Sequence, residues 1–344
     1  MPIAVATLAI TWTRVPETRA PGETRLDLLG ATLATVGLGG VVFGLLEAPR
    51  LGFTHPGIIA ALGGGTAALG TFLWVEQHTA RPMLPLDVFR SRTFSGANLL
   101  TLLLYAALSG ILFFLPFNLI QVHGYTPAEA GGALLPLIAL LSLLSNWAGR
   151  LIDRYGPRPP LVAGPLVAGL GFVLLALPGT SGAYWTTFFP PIMVLGLGMA
   201  ITVAPLTTTV MGAAGAERAG LASGINNAVS RTASLLAIAV FGIVAYQRFG
   251  STLSERMERL GIPPAARRIL EEQRGKLAAA VIPDSLPAEV QGSLRSTVAA
   301  AFVDAFRSLS LLGAGLAVAA ALTAWLMVGR DAGRKNEGTR KQPR

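Results

Sequence analysis

The chain has 344 residues, of which 52% are hydrophobic and 13% are charged, and its mean hydropathy is +0.58. A soluble domain carries roughly 25% charged residues, so this composition excludes an ordinary soluble protein and indicates one embedded in lipid. The net charge of +9 does not point to nucleic-acid binding, because the basic residues stand in short segments between apolar runs, without a basic stripe or an aromatic platform. The sequence contains no cysteine, which excludes disulfides, cysteine-ligated metals and thiol chemistry within it.

Eight apolar stretches are long enough to span a bilayer, which takes about 20 residues each. We predict transmembrane helices over residues 26–48, 57–75, 94–122, 130–149, 159–178, 184–212, 219–247 and 302–328. The opening apolar run, residues 1–12, covers only about 18 Å as a helix and is interpreted as the end of a clipped span. It lacks the positively charged leading region of a signal peptide. The predicted fold class is therefore an all-α integral membrane protein with eight full spans and one clipped helix.

The distribution of Lys and Arg over the connections predicts the orientation of the spans. One set of alternate connections holds most of the basic residues, and the tail over residues 329–344 adds six more on the same side. The short opposite connections hold only Arg50. Because basic residues collect on the cytoplasmic side, we expect a multi-pass protein of the plasma (cell) membrane with a cytoplasmic carboxyl terminus.

The long connection over residues 248–301 is the exception to this rule. It carries eight basic and six acidic residues. Long connections translocate with little regard to charge, so we place this one outside. Apolar residues alternate there with charges and are interrupted by Pro263, Pro264, Pro283 and Pro287, a pattern that indicates short surface helices. A lid, a membrane-surface hairpin and a solvated connector all remain open as interpretations.

The most specific motif covers residues 149–161, which read Gly-Arg-Leu-Ile-Asp-Arg-Tyr-Gly-Pro-Arg-Pro-Pro-Leu. It resembles the G-x-L-A-D-R-x-G-R-[KR]-x-x-L signature that major facilitator transporters carry between the second and third helices of each half. The matching positions are Gly149, Leu151, Asp153, Arg154, Gly156, Arg158 and Leu161, whereas Ile152 and Pro157 depart from the pattern. The resemblance implies a gating loop in which Asp153 faces the positive N-terminus of a neighbouring helix. Arg154 and Arg158 would also suit simple anchors at the cytoplasmic surface.

The position of this signature sets the register of the remaining spans. It makes residues 94–122 and 130–149 the first two helices of a carboxyl-terminal half and leaves two extra helices before that half. This arrangement resembles the 14-helix drug:proton antiporter branch, as do the strings over residues 2–3, 15–19, 26–30, 82–89 and 219–227. The implied domains are the end of the last amino-half helix (1–14), two extra helices with a cytoplasmic connection (15–93), the six-helix carboxyl half with the outer segment 248–301 (94–328) and a basic cytoplasmic tail (329–344).

Polar and ionisable residues inside the spans are candidates for a substrate cavity, because burying such groups in hydrocarbon is costly without one. Arg231 is the clearest, since it lies about 18 Å along its helix from Ala219, with Asn227 one turn before it. The other candidates, which mix polar groups with aromatic rings as cavities for lipophilic molecules do, are Asn98, Tyr105, Phe113 and Asn118. A structural role for Arg231 and lipid-facing positions for the aromatic rings are the alternatives.

The resemblance implies a transmembrane transporter that exports drugs or other small lipophilic molecules in exchange for protons, by alternating access of two six-helix halves. The expected partners are the lipid bilayer, a small-molecule substrate and protons. No metal or cofactor is expected. No predicted span holds a central acid, and in the family the coupling carboxylate usually belongs to the amino half. The alternative is a non-transporting fragment, or a half-transporter that needs a separate amino half. An enzyme is not indicated, since the sequence has no H-E-x-x-H, G-x-S-x-G or Walker motif.

Overall fold

The computed structural model describes residues 2–14, 27–79, 82–260, 267–268, 270–271, 273–280, 282 and 287–329. Sequence features predicted at residues 1, 15–26, 80–81, 261–266, 283–286 and 330–344 lie outside these ranges. The described α-helices are α1 (Pro2–Arg14), α2 (Leu28–Leu51), α3 (Pro56–His78), α4 (Arg92–Phe117), α5 (Pro127–Gly132), α6 (Leu135–Tyr155), α7 (Arg158–Leu175), α8 (Tyr184–Thr187), α9 (Phe189–Ala214), α10 (Ala219–Arg259) and α11 (Ala288–Met327). Shorter helical turns cover Leu86–Arg90, Asn118–Val122, Ala216–Arg218 and Arg274–Ala279.

The predicted all-α class and the number of spans are confirmed. Eight helical segments in the described part of the chain are long and apolar enough to cross a membrane, in the same order as the predicted spans. Two of the predicted spans contain an interruption: a turn at residues 133–134 separates α5 from α6, and Phe188 separates α8 from α9. Pro136 and Pro190 stand in the first turns of α6 and α9, where a missing amide donor is tolerated and a new helix can start.

The largest difference from the sequence prediction concerns the last two spans. They were predicted to end at residue 247 and to begin at residue 302, but α10 continues to Arg259 and α11 already begins at Ala288. At 41 and 40 residues, each helix is about 60 Å long, roughly twice the thickness of the hydrocarbon core. Buried Phe249 and Met257 continue the apolar contact beyond the predicted span, and Arg256 Nη2 lies 2.8 Å from Asp304 Oδ2 on α11. Much of the predicted outer connection therefore consists of helical extensions.

The bundle has two ends, a signature end and a far end. The signature end contains the turn between α6 and α7, together with the first residues of α4 and α10 and the last residues of α11. The far end contains the π-helical turn Asn118–Val122, the α7–α8 connection and the extensions of α10 and α11. The guanidinium carbon of Arg158, in the signature, lies 5.5 Å from the centre of the Trp325 ring. The last turns of α11 therefore lie at the signature end.

Six long helices, α4, α6, α7, α9, α10 and α11, pack into one unit, and the most extensive contact is between α7 and α9. Glycines allow this close approach. A Cβ atom at Gly198 would overlap the backbone of Ala168, and one at Gly171 would lie 2.6 Å from the amide nitrogen of Leu195. In lipid, helix association depends on van der Waals packing of this kind, because the surrounding acyl chains are as apolar as the side chains.

Helices α2 and α3 form a separate hairpin, and α2 packs on α10 of the six-helix unit. The hairpin also depends on glycine. A Cβ atom at Gly65 of α3 would lie 2.7 Å from the Val41 amide nitrogen of α2, and one at Gly40 would lie 3.0 Å from the Ala61 carbonyl oxygen. Many of the remaining hairpin side chains, such as Val36 and Trp74, are exposed and apolar, as expected of a surface that faces lipid.

Candidate functional site

Helices α4 and α10 are joined by a line of hydrogen bonds between polar side chains. Asn226 donates from Nδ2 to Oδ1 of Asn98 over 3.2 Å and to Oγ1 of Thr101 over 2.7 Å. About two turns further along, the Oγ atoms of Ser109 and Ser234 are 2.7 Å apart. Because acyl chains cannot satisfy these groups, pairing them fixes the register of the two helices, and each bond contributes on the order of 0.6 kcal/mol.

A polar cavity of about 320 Å³ opens beside this line of hydrogen bonds. Its walls are Tyr105 from α4, Thr207, Val210 and Met211 from α9, and Ser223, Asn226, Asn227, Ser230, Arg231 and Ser234 from α10. The α10 residues recur every three or four positions, which places them on one face of the helix. Asn227 and Arg231 are exposed. The cavity therefore brings together three of the predicted residues, Tyr105, Asn227 and Arg231.

The walls of the cavity carry groups that can form hydrogen bonds with a polar ligand. Its described lining contains hydroxyl and amide groups and one cation, Arg231, but no acidic residue. A guanidinium stays charged at any physiological pH and can donate two parallel hydrogen bonds to a carboxylate or phosphate. Among the described residues, no group of three His, Asp or Glu side chains is placed to hold a metal ion.

Tyr105 also borders a second cavity of about 240 Å³ between α4, α6 and α9. The walls of this second cavity are mainly apolar and include Leu108, Leu141 and Met199. Tyr105 thus borders both a polar cavity and an apolar one. A pair of adjoining cavities of this kind suits an amphipathic small molecule, whose polar group and apolar body need different surroundings.

The structure places the remaining predicted cavity residues elsewhere. Asn98 lies behind Asn226, is 4% exposed and donates to the Phe94 carbonyl oxygen over 2.9 Å. Asn118 is buried in the π-helical turn at the far end, where its Oδ1 has no hydrogen-bond partner among the described residues. Phe113 is 42% exposed and lines a different cavity, between α2, α4 and α10. Sequence reasoning missed Asn226 and the serines of α10, although their helical spacing was a usable signal.

The signature residues form a tight turn at the end of α6. Gly156 ends the helix with φ +77°, a left-handed conformation that favours glycine, and its amide donates to the Ile152 carbonyl oxygen over 2.8 Å. Asp153 is exposed and forms no hydrogen bond or ion pair with the other described residues. Gly149, one turn earlier, has no atom within 4 Å of an added Cβ. This side of α6 is therefore open, while Arg154 lies 5.2 Å from the ring of Tyr155.

A second feature of the signature end is an ion pair between two connections. Arg218 Nη1 lies 2.6 Å from Asp87 Oδ2, and both side chains are about half exposed. The hydrogen bond from Arg218 lowers the pKa of Asp87 below its ordinary value of 3.8. The pair ties the Leu86–Arg90 turn, just before α4, to the Ala216–Arg218 turn between α9 and α10. Both turns adjoin helices that line the polar cavity.

The fold and the cavities define a class of protein: a multi-pass helical membrane protein with a substrate-sized polar cavity between its helices. The sequence profile of the Major Facilitator Superfamily matches residues 2–238, and the chain belongs to this superfamily. The superfamily predicted from the signature is thereby confirmed.

Relatives of the chain carry names that refer to drug resistance and export. It is 31% identical over 272 residues to the multidrug resistance protein Stp of Mycobacterium tuberculosis (strain H37Rv). This match covers 79% of the chain and 50% of Stp. It is 28% identical over 327 residues to the tetracenomycin C resistance and export protein of Streptomyces glaucescens, a match that covers 94% of the chain and 60% of that protein. It is 32% identical over 267 residues to the puromycin resistance protein pur8 of Streptomyces alboniger, a match that covers 76% of the chain and 52% of that protein. The chain spans about half the length of the curated relatives it matches.

Proposed function

We propose that the chain exports lipophilic small molecules of the drug or antibiotic class across the plasma membrane in exchange for protons. The observation that carries this proposal is the pair of adjoining cavities at Tyr105, one polar with Arg231 and Asn227 on its exposed side, the other apolar. An amphipathic molecule is held by both kinds of surface at once. The relatives named for multidrug, tetracenomycin C and puromycin resistance support the same substrate class.

Alternating access requires two six-helix halves that rock about a shared site near the midplane. We assign the six-helix unit to the carboxyl-terminal half and α2 and α3 to the extra helices of the 14-helix branch. The unit would work with an amino-terminal half, carried on the same polypeptide or on another, and this half would close the exposed side of the polar cavity. The signature end and the carboxyl terminus are assigned to the cytoplasm.

We assign the proton to a carboxylate of the amino-terminal half, because the described lining of the polar cavity contains no acid. Arg231 would act on that carboxylate across the cavity. A nearby cation favours the ionised form of an acid, so Arg231 would favour release of the proton from that carboxylate. Exchange requires that substrate and proton weaken each other's binding, so a substrate whose polar group pairs with the ionised carboxylate would bind as the proton leaves.

The proposal is tested by energised efflux of a fluorescent lipophilic dye from cells that lack their own exporters. The chain is expressed alone and together with an amino-terminal half, and a protonophore is added to parallel samples. We expect efflux when the amino-terminal half is supplied, and its loss when the proton gradient is collapsed. Efflux from the chain alone would instead support a homodimer, and efflux that survives the protonophore would contradict proton coupling.

A further inference from the structure

A cavity of about 610 Å³ lies at the far end of the bundle, between the α2–α3 hairpin and the six-helix unit. One wall is apolar: Leu45 and Leu46 come from α2, Phe113, Phe114 and Phe117 from α4, and Ala239 and Gly242 from α10. Leu46, Phe113 and Phe117 are 49%, 42% and 43% exposed. The described protein thus leaves a substantial apolar surface between two groups of helices uncovered.

The rim of this cavity is polar and mainly basic. It consists of Arg50, at the end of α2, and the segment that contains Glu271, Arg274 and Lys276. These residues provide three cations and one anion. The only ion pair described for Arg50 is a long one with Glu47, 3.6 Å from Nη1 to Oε2, in which the Arg50 side chain is 79% exposed.

Arg274 is held in a defined position on this rim. Its guanidinium carbon lies 5.0 Å from the ring centre of Tyr246, and its side chain fills the space where a Cβ atom of Gly250 would stand. Its Nε atom is buried and has no hydrogen-bond partner among the described residues. A guanidinium carries five N–H donors, so Arg274 can also donate to an anion that enters the cavity.

The depth of the cavity matches the boundary of a bilayer. Phe113 stands 21 residues after Arg92 in α4, which is about 32 Å along the helix and close to the thickness of the hydrocarbon core. Arg50 is the penultimate residue of α2, at the same end of the bundle. The basic rim therefore lies at the level of lipid headgroups, with the apolar wall on the hydrocarbon side.

We propose that this cavity is a binding site for an anionic phospholipid. The phosphate accepts hydrogen bonds from Arg274, with Arg50 and Lys276 adding charge, and an acyl chain covers Leu46, Phe113 and Phe117. A free anion would leave the apolar wall bare, and a zwitterionic lipid would bring a cation into a rim that already has a positive excess. A lipid in this position would join the α2–α3 hairpin to the six-helix unit, whether or not the chain transports drugs.

The site is tested by native mass spectrometry of the purified full chain in detergent. Palmitoyl-oleoyl phosphatidylglycerol is compared with phosphatidylcholine of the same acyl chains, and inorganic phosphate is added as a competitor. We expect at least roughly tenfold tighter binding of the anionic lipid, because its net negative charge pairs with the basic rim. Inorganic phosphate at millimolar concentration should not displace the lipid.

Two variants separate the headgroup and acyl-chain contacts. Arg274→Gln should weaken phosphatidylglycerol binding at least roughly fivefold, whereas Arg150→Gln at the signature end should not. Gly242→Leu should block the acyl-chain wall, because no atom lies within 4 Å of a Cβ there, so the side chain enters the cavity without displacing the backbone. Gly63→Leu is its matched control, since Gly63 is equally open but lies on α3 away from the cavity.

Size-exclusion chromatography first shows that each variant is folded, and Leu46→Trp replaces Gly242→Leu if the latter is not. Equal affinity for the two lipids, displacement by inorganic phosphate, or unchanged phosphatidylglycerol binding in a folded Gly242→Leu or Leu46→Trp variant would each overturn the proposal. The result does not depend on dye efflux, so failure of the export proposal leaves this test unaffected.

Discussion

At the scale of single residues, the accessibility of position 231 shows whether the polar face of α10 borders water or lipid. Arg231 is exposed on the polar face of α10, beside Asn227 and Ser230. The sequence has no cysteine, so Arg231→Cys carries a single thiol. Thiols react as thiolates, which form only in contact with water. With the amino-terminal half supplied, we expect a charged, water-soluble thiol reagent to label Arg231→Cys, and an excess of transported substrate to slow the labelling.

Asn98→Cys is the control for this experiment. Asn98 is 4% exposed and lies behind Asn226, so its cysteine should react at least roughly tenfold more slowly than one at position 231. If neither position is labelled, Arg231 has a structural role between helices. Equal labelling of both would show that the α4–α10 contact opens in the membrane.

The Asp87–Arg218 ion pair leads to a prediction about pH. Because the hydrogen bond from Arg218 lowers the pKa of Asp87 in the folded protein, the pair stabilises the fold above the ordinary pKa of 3.8 that this carboxyl has in the unfolded chain. This stabilisation is lost as the pH falls through the lowered pKa of Asp87. Arg218→Gln should therefore decrease the thermal unfolding temperature slightly at pH 7, and the difference from the unmodified chain should disappear at more acidic pH.

The measurement is thermal unfolding of the purified chain across a pH series, at low and high salt. Both side chains are half exposed, so high salt should also reduce the difference. Asp87→Asn should have the same small effect as Arg218→Gln, and the double variant should be no less stable than either. A difference that persists below the lowered pKa would show that Arg218 stabilises the fold through another contact.

The candidate residues could be predicted only as far as their type is unusual within a span. Arg231, Asn227 and Tyr105 stand out in an apolar run for this reason. Asn98 is equally unusual, but the sequence does not show that Asn226 satisfies it across a helix contact. Serines give a weaker signal, because a serine in a helix commonly bonds to its own backbone, as Ser234 does to the Ser230 carbonyl oxygen over 2.9 Å.

At the scale of helices, the contact between α7 and α9 depends on the absence of side chains at the crossing. A Cβ atom at Gly198 would overlap the backbone of Ala168 and approach the Gly164 carbonyl oxygen to 2.7 Å. Backbone atoms cannot move aside as a flexible side chain can. We expect Gly198→Val to destabilise the folded protein by about 3 kcal/mol, the upper end for overpacking, or to prevent its folding.

Gly212→Val is the matched control within the same helix. Gly212 is exposed near the end of α9, and no atom lies within 4 Å of an added Cβ. Thermal unfolding and size-exclusion chromatography of the two variants in detergent provide the comparison. A Gly198→Val protein as stable as the Gly212→Val protein would show that α7 and α9 are further apart in the membrane.

The order of the spans was predictable, but the ends of the helices were not. Hydropathy records where a segment stops being apolar enough for lipid, and it changes near Gln247 and Phe302. A helix stops where its backbone loses support, which is a different condition. In α10 that support continues through buried Leu253 and through the Arg256–Asp304 ion pair with α11, and neither contact is visible in one sequence segment alone.

At the scale of the whole molecule, two parts of the six-helix unit are left open in the described structure, and under the proposed function both would face the amino-terminal half. One is the exposed side of the polar cavity at Asn227 and Arg231. The other is the side of α6 that carries Gly149 and Asp153, at the signature end. A rocking motion that opens the cavity at one end would close the other end, so contacts of Asp153 would exist in only one of the two states.

We therefore predict that Asp153→Asn impairs transport without affecting the stability of the chain. Asp153 has no hydrogen bond or ion pair among the described residues, so replacing it should leave the thermal unfolding temperature unchanged. An asparagine has no charge to attract the N-terminus of a neighbouring helix, and the closed state would lose part of its stabilisation. We expect dye efflux with the amino-terminal half supplied to decrease by up to roughly fivefold, the effect of about 1 kcal/mol on a two-state equilibrium. Arg150→Gln, on the same turn but outside the matching signature positions, should retain efflux.

A stable Asp153→Asn protein with unchanged efflux would show that the signature is only a surface anchor. A loss of stability would instead show that Asp153 contributes to the folding of α6 rather than to the gate.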